Sequence, residues 1–258
     1  MTSADDDTTE DQSSPGGIYV YGIVPADVEA ADDATGVHDA PLDTVLLGDI
    51  AALVSEIDPT RELGTPEDLR AHARILDGTS RVAPVLPLRF GAVVSDRAAV
   101  AEELLAAHVD EFAAALDELE GHAEYLVQGR YVEETIIREI IAENPRASAL
   151  LDRIREEPDE LGRDARIELG KFISATLAAK REIDTHAAFD ALLALTDTIT
   201  VREPTHDEDA FRIAVLLEVA RQQELEEKVG DLVERWRDRV AVRLVGPLAP
   251  YDFVGTPE

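Results

Sequence analysis

The sequence of 258 residues is long enough for one large domain or two small ones, and its 45% hydrophobic residues predict a folded, globular protein. Aromatic residues make up only 5% of the chain, so the core must consist mainly of Ala, Val, Leu and Ile. There is no cysteine, which excludes disulfides and thiolate chemistry.

The formal net charge is −31, from 55 acidic and 24 basic residues, of which only Lys171, Lys180 and Lys228 are lysines. The acids are scattered along the chain, a pattern typical of a halophilic protein, whose self-repulsion molar salt would screen. A nucleic-acid mimic or a trap for basic partners would instead concentrate its acids in a stripe. The charge argues against binding to nucleic acid or to anionic membranes. Because the sequence shows neither an apolar run of about 18 residues nor a signal-peptide pattern, we expect a soluble, cytoplasmic protein.

We expect a disordered acidic tail at residues 1–17, since almost none of its side chains could be buried. Residues 18–132 form a predicted first domain. Its elements are, in chain order, a strand at 18–24, either a hairpin that turns at Gly48-Asp49 or one bulged strand at 44–57, a helix capped by Thr65, an edge or interrupted strand at 82–94, a helix at 97–120 and a strand at 124–132. That order favours a ferredoxin-like domain, with an antiparallel sheet and two helices on one face.

Residues 133–258 form the predicted second domain. Its elements are, in chain order, two helices broken at Asn144-Pro145, a turn at 158–162, a long helix at 166–196, a short strand at 199–202, an alternating strand near 211–219, a helix with apolar positions from Leu225 to Val240, and a last strand at 240–245. The whole chain is therefore predicted to belong to the α+β class, with a helix-rich second domain.

No residues in the sequence have the spacing of a catalytic, cofactor-binding or metal site. The six histidines are far apart, and His72 and His108 fit helix-surface or partly buried positions better than a metal site. There is no glycine-rich phosphate loop and no Gly-x-Ser-x-Gly pattern. Neighbouring acids such as Glu102-Glu103 are uninformative in a chain with 55 acids. We therefore expect no enzyme activity, no cofactor and no metal.

Two segments are candidates for protein binding, at 85–91 and at 246–253. The first is strongly apolar, and its alternative interpretation is a strand buried under a helix, with Arg89 paired to a carboxylate. The second carries two aromatic residues in an aromatic-poor chain, and its alternative is a terminal strand tied onto the domain. The candidate residues are Val85, Leu86, Leu88, Arg89, Phe90, Tyr251 and Phe253.

The sequence resembles the GvpF/GvpL family of gas vesicle proteins over residues 17–254. The resemblance is carried by the strand Tyr19-Val20-Tyr21-Gly22-Ile23-Val24, by the segment 85–91, which is similar to the family's Pro-x-x-Phe-Gly signature, and by the stretch 246–253. It implies a two-domain α+β protein with a ferredoxin-like first domain. It also implies a role early in the assembly of the gas vesicle, a protein shell that encloses gas.

Members of this family bind the small hydrophobic shell subunit and other accessory proteins, so the resemblance implies these partners. The acidic charge, in turn, leads us to expect no nucleic acid and no lipid membrane among the partners. The composition fits a haloarchaeal source, and the length and acidic tail favour the GvpL branch over GvpF. One alternative is an enzyme or small-molecule binder on a ferredoxin-like scaffold, which would need a cleft with convergent polar groups. Another is a structural shell component, which predicts a short and mostly apolar chain.

Overall fold

The computed structural model describes residues 16–30, 33–58, 60–156 and 162–255. The chain divides into two compact units between Glu120 and Gly121, and the second unit extends to Phe253. The predicted α+β class is confirmed, because each unit contains an antiparallel sheet with helices. Most of the predicted tail at 1–17 lies outside the described residues, and Gly17 already belongs to a strand.

The first unit is built around a central strand. Its described elements are, in chain order, β1 (Gly17–Pro25), β2 (Asp43–Leu47), β3 (Ile50–Ile57), α1 (Pro66–Thr79), β4 (Leu86–Pro87), β5 (Val93–Val94), α2 (Arg97–Ala99) and α3 (Val109–Leu119). The strands lie in the order β2-β3-β1-β4, and β5 also pairs with β1. Every residue of β1 before Pro25 is buried, which explains why this strand is a continuous apolar run without alternation.

Two local predictions in this unit are confirmed. The hairpin between β2 and β3 turns at Gly48-Asp49, where Gly48 has a φ of 60°. Helix α1 begins at a capping box: the Asp68 N–H donates to the Thr65 hydroxyl, and the Thr65 N–H donates to the Asp68 carboxylate.

The helix predicted at 97–120 is interrupted, which corrects the sequence analysis. After α2 the chain forms a π-helical turn at Val100–Leu105, in which the Ala106 N–H donates to the Ala101 carbonyl at 2.9 Å. The chain becomes α-helical again only at Val109. The interruption changes the helical register, so Leu105 is buried while Val109 is exposed.

The second unit contains the long helices of the protein. Its described elements are, in chain order, β6 (His122–Tyr131), α4 (Glu133–Glu143), α5 (Pro145–Glu156), α6 (Arg163–Leu193), β7 (Ile199–Val201), β8 (Asp209–Glu218), α7 (Gln222–Arg235) and β9 (Val240–Leu248). The strand order is β7-β8-β6-β9. Strand β6, which the sequence analysis placed in the first domain, pairs with both β8 and β9. The predicted boundary after Val132 therefore moves to a position before β6.

The two sheets share one strand order. In the second unit, the sequence strand, helices, strand, strand, helix, strand gives the complete ferredoxin-like arrangement. In the first unit, β1, β2, β3, α1 and β4 follow the same order, but a loop with a short 3₁₀ turn at Val37–Asp39 replaces the first helix. The ferredoxin-like sheet expected in the first half is thus present without its first crossover helix.

The core of the second unit packs helices α4, α6 and α7 onto one face of the sheet. Trp236 is buried in this core, and its ring centroid lies 5.3 Å from that of Phe211. The guanidinium carbon of Arg235 lies 5.4 Å from the centroid of the Trp236 ring. A smaller apolar cluster joins α5 to the first part of α6. No described helix is both long enough and apolar enough to cross a membrane.

An ionic network joins β6, α4 and α6 of the second unit. The Tyr131 hydroxyl donates to Asp184 at 2.7 Å, and Arg239 donates to Asp184 at 3.0 Å and to Glu139 at 2.7 Å. Lys180 donates to Glu139 at 2.5 Å. Burial raises the pKa of Tyr131, and so does its hydrogen bond to Asp184. Since each buried charge has an opposite partner, the network orients these elements without an unpaired ion.

Candidate protein-binding surface

The apolar segment at 85–91 lies along β1 and is largely part of the core. The Leu88 N–H donates to the Tyr21 carbonyl at 2.9 Å, and β4 pairs antiparallel with β1. Val85, Leu86 and Leu88 are buried, so these three predicted site residues have no surface to offer a partner. The alternative interpretation, a buried strand, therefore describes the first half of the segment.

Gly22 allows this close approach between β1 and the segment. A Cβ atom at position 22 would lie 2.6 Å from the Leu86 carbonyl oxygen, far inside van der Waals contact. The register between β1 and β3 shifts between Val20 and Gly22, which places Tyr21 in a β-bulge. The missing side chain at Gly22 thus allows the segment 85–91 to lie directly beside β1.

Four ring side chains meet where the two motifs touch, namely Tyr19, Tyr21, His72 and Phe90. The rings of Tyr19 and Tyr21 have centroids 4.8 Å apart, and those of His72 and Phe90 are 5.6 Å apart. The Tyr19 hydroxyl lies 2.9 Å from His72 Nδ1 and accepts a hydrogen bond from the Gly91 N–H at 3.2 Å. We call this group the aromatic cluster.

The aromatic cluster is uncharged near neutral pH. Burial lowers the pKa of His72 to about 4 and raises the pKa of Tyr19 to about 12. Neither group therefore changes its protonation between about pH 5 and 8. The cluster has the properties of a structural core and not of an acid–base pair.

The hydroxyl of Tyr21 holds a neighbouring loop. It accepts from the Val37 N–H at 2.7 Å and donates to Ser55 Oγ at 3.0 Å, and Ser55 Oγ in turn donates to the Pro41 carbonyl at 2.9 Å. A Cβ atom at position 36 would lie 1.8 Å from the Tyr21 hydroxyl oxygen, so only Gly36 fits there. The sequence analysis missed this role, although Tyr21 lies within the motif that it identified.

Beside this core, part of the segment reaches the surface. Val82 is 83% exposed, Arg89 is exposed, and Pro84 and Phe90 are half-buried. We call these four residues the 82–90 edge. A groove of about 580 Å³ adjoins one end of it, where Val82 and Pro84 line the groove. The rest of its lining includes the acids Asp27, Glu29, Asp117 and Glu120. Arg89 forms no ion pair with any carboxylate in the described part of the chain.

The C-terminal stretch is tied onto the second unit by charged groups. Arg202 donates to Glu124 and to Asp252, and the Asp252 N–H donates to Glu124 at 3.0 Å. Glu124 is only 1% exposed, so its charge depends on these contacts. Tyr251 nevertheless remains 39% exposed, while Phe253 is half-buried. The stretch is thus attached to the second unit and still exposes one aromatic ring, that of Tyr251.

The described residues show no assembled chemistry of the kind an enzyme needs. No group of three His, Asp or Glu side chains among them could hold a metal ion. The buried carboxylate of Asp68 is occupied by the backbone and hydroxyl of Thr65. Burial works to raise the pKa of Asp68, but these hydrogen bonds together lower it. Such groups stabilise local structure and leave no poised acid or base.

Comparison with known proteins gives one consistent answer. Residues 17–255 match the family described as gas vesicle synthesis protein GvpL/GvpF. The chain is 23% identical over 238 residues to gas vesicle protein F of Dolichospermum flosaquae, covering 92% of this chain and 96% of that protein. It is 27% identical to protein F of Streptomyces sp. (strain CB03234), over 92% of this chain and 98% of that one. It is also 26% identical to protein L of the same strain, over 93% of each. The preference for the GvpL branch therefore stays a prediction.

Solved structures show the same fold. The crystal structure of GvpF from Anabaena sp. PCC7120 matches with a TM-score of 0.74 at 21% identity, covering 94% of this chain and 100% of that one. GvpF from Microcystis aeruginosa matches with a TM-score of 0.71 at 21% identity, over 92% and 98%. Together with the family match over nearly the whole described chain, these findings show that the chain belongs to the GvpL/GvpF family of gas vesicle synthesis proteins.

Proposed function

We propose that this chain is an accessory protein of gas vesicle assembly that binds the hydrophobic shell subunit and other gas vesicle proteins early in assembly. The observation that carries the proposal is the family match over residues 17–255. The relatives are named as gas vesicle proteins, which supports a binding role over catalysis. In this proposal the protein acts in the cytoplasm, at the growing vesicle.

The 82–90 edge has the properties that such a role requires. A shell subunit that self-assembles has apolar surface that must be covered until the subunit is placed. Val82 and Pro84 offer apolar contact, while carboxylates such as Glu29 also line the groove beside them. The net charge of −31 would keep the resulting complex in solution. High salt strengthens apolar association and shortens the range of charge effects, so we expect apolar contacts to drive binding.

The test is a pull-down in molar KCl, with this chain as bait and each gas vesicle protein offered separately. Because Val85, Leu86 and Leu88 are buried, substitutions there would test folding and not binding. The informative variants are Val82→Asp with Arg89→Glu for the edge, and Tyr251→Asp for the C-terminal ring. Ile183→Asp is the matched control, since Ile183 is 68% exposed on α6 and lies outside both surfaces.

We expect the wild-type chain to retain the shell subunit and at least one accessory protein. We expect the edge variant to lose the shell subunit while the Ile183 variant keeps it. If the folded wild-type chain retains no vesicle protein, the proposed function is wrong. If it retains them and neither surface variant differs from the control, the function stands but the surfaces are misassigned.

A further inference from the structure

The sheet of the second unit has one face that its helices do not cover. Residues Ala123, Tyr125 and Val127 of β6 face the helical core. Because strand side chains alternate, the residues between them project from the opposite face, which we call the outer face. The same alternation places Arg212 of β8 and Arg243 of β9 on the outer face, since their neighbours Phe211, Ile213, Val242 and Leu244 pack in the core.

The strand register gathers arginines on the outer face. Gln128 of β6 pairs with Arg212 on one side and with Arg243 on the other. Arg202, just beyond β7, donates its backbone N–H to the Arg212 carbonyl and so continues the row. We call Arg202, Arg212 and Arg243 the arginine row. They lie at neighbouring positions across the sheet, and Gln128 of β6 lies between Arg212 and Arg243. Its members lie far apart in the sequence.

Two charges of the arginine row have no carboxylate partner in the described part of the chain. Arg202 pairs with Glu124 and Asp252, but Arg212 donates only to the Glu203 carbonyl oxygen, at 3.1 Å. Arg243 forms no ion pair or hydrogen bond with any described residue. Like charges directly opposite each other, such as Arg202 and Arg212, destabilise a sheet. Arg212 and Arg243 thus remain without a carboxylate partner among the described residues, on either side of Gln128, in a chain with 55 acidic residues.

The surroundings of the row indicate what it would bind. Arg243 is exposed and Arg212 is half-buried, so unused guanidinium N–H groups of both remain accessible. The row beside it, Ala214, Leu126 and Val245, is apolar, but Leu126 is 5% exposed and Ala214 is 0% exposed, so it offers a partner little surface. The accessible groups are therefore the guanidiniums, which bind carboxylates through paired hydrogen bonds.

We propose that the arginine row is a docking site for an acidic segment of a partner protein, whose carboxylates pair with Arg212 and Arg243. The inference rests on the proposed function, since the natural partner would be another gas vesicle protein. Two or three arginines match a short acidic segment, whereas a nucleic acid presents a charge about every 1.7 Å per duplex and would meet the net charge of −31 around the row. Contact ion pairs persist at high salt, although steering over longer distances does not.

The test measures binding of a labelled ten-residue glutamate–serine peptide by fluorescence anisotropy. The KCl concentration is the lowest at which the circular dichroism of the full chain is unchanged. The test variant is Arg212→Gln with Arg243→Gln, which leaves the Arg202 ion pairs in place. The matched control is Arg138→Gln with Lys171→Gln, which makes the same charge change at two exposed helix positions of the second unit.

We expect the row variant to bind the peptide about tenfold more weakly than the wild-type chain, and the control to change binding less than about twofold. Equal weakening in both variants would show a general charge effect and overturn the proposal. Absence of peptide binding to the wild-type chain would overturn it too, as would tighter binding of single-stranded oligothymidine through the same arginines. None of these results depends on the pull-down, so this inference and the proposed function fail separately.

Discussion

In the first unit the central strand is held by uncharged groups, whereas in the second unit the sheet is held by ions. The hydroxyls of Tyr19 and Tyr21, with Ser55 and a neutral His72, connect β1 to its neighbours. In the second unit, Glu124 and Asp184 are buried carboxylates that depend on Arg202 and Arg239. Both sheets have the same strand order, so the difference lies in the side chains and not in the topology.

The comparison shows that one sheet arrangement can be stabilised by two kinds of contact that respond differently to salt and to pH. Hydrogen bonds between uncharged groups are insensitive to salt screening, but giving one of these buried groups a charge costs desolvation free energy. Buried ion pairs are costly to break because the remaining charge stays buried without a partner. The two units should therefore respond differently to substitution and to acid.

The largest effect is expected from Glu124→Ala. Removing this carboxylate leaves Arg202 with only Asp252, and releases the Asp252 N–H from its acceptor. We expect the free energy of unfolding of the second unit to fall by about 3 to 5 kcal/mol. Hydrogen–deuterium exchange of β6 and β9 measures it, with the exposed Glu218→Ala as control. A loss no greater than that of the control would mean that ionic contacts do not hold this sheet.

The next effect is a pH dependence confined to the first unit. The folded pKa of His72 is about 4 against an ordinary value of 6.5, because the imidazole is buried. Folded protein therefore binds fewer protons than unfolded protein between these values, so stability is full above pH 6.5 and falls as the pH drops towards 4. The expected loss is on the order of 3 kcal/mol.

Glu139 of the second unit loses its contribution to stability in a more acid window than His72. Burial works to raise its pKa, but the hydrogen bonds from Arg239 and Lys180 lower it below 4.5, so its contribution is lost only under more acid conditions. Urea unfolding at several pH values, followed by exchange in each unit, separates the two. His72→Gln should remove the loss of stability between pH 6.5 and about 4, and His206→Gln, at an exposed position, should leave it unchanged. Parallel acid losses in both units would contradict this prediction.

A smaller effect is expected from Tyr21→Phe. The change removes the acceptor of the Val37 N–H and the donor to Ser55, leaving buried polar groups unpaired. We expect a loss of about 1 to 3 kcal/mol in the first unit, seen as faster exchange in β1 and β3. Ser95→Ala, which removes an exposed hydroxyl of the same unit, serves as the control. An unchanged first unit would show that the loop at 36–41 does not depend on Tyr21.

The smallest effect is expected at an exposed ion pair, which tests whether only buried ions stabilise the second unit. Arg146 and Glu168 form an exposed ion pair between α5 and α6 at 2.5 Å. Glu168→Gln should change the free energy of unfolding by less than about 1 kcal/mol, since exposed pairs contribute little. Urea unfolding measures it. A loss close to that of Glu124→Ala would indicate that any ion pair, buried or not, stabilises the second unit.

Much of the fold follows from local signals in the sequence. The apolar run of β1, the Gly48-Asp49 turn, the Thr65 cap and the break before Pro145 each depend on residues close together in the chain. The sheet to which β6 belongs could not be predicted in this way, because its partners β8 and β9 lie far along the sequence. The π-helical turn before Ala106 was missed because its apolar spacing also suits a continuous helix.

The candidate surface was predicted only in part. The segment at 85–91 was identified, but apolar residues suit a buried strand and a binding strand equally, and Val85 proved to be buried. Arg89 and Tyr251 are exposed as a binding role requires, and that role stays a prediction. Glu124 could not be distinguished from the other acids in a sequence that has 55 of them. The arginine row could not be predicted either, because its residues come together only when the strands of the sheet pair.

Trp236 is the single tryptophan of the chain, and it packs against Phe211 inside the second unit. Its intrinsic fluorescence, excited near the red edge of protein absorption, therefore reports on that core alone. Tyrosine ellipticity, in contrast, arises from both units, from Tyr19 and Tyr21 in the first and from Tyr125, Tyr131 and Tyr251 in the second. A melting step seen in ellipticity but not in tryptophan fluorescence would therefore belong to the first unit, so the intact chain can be followed without labels and without cutting it.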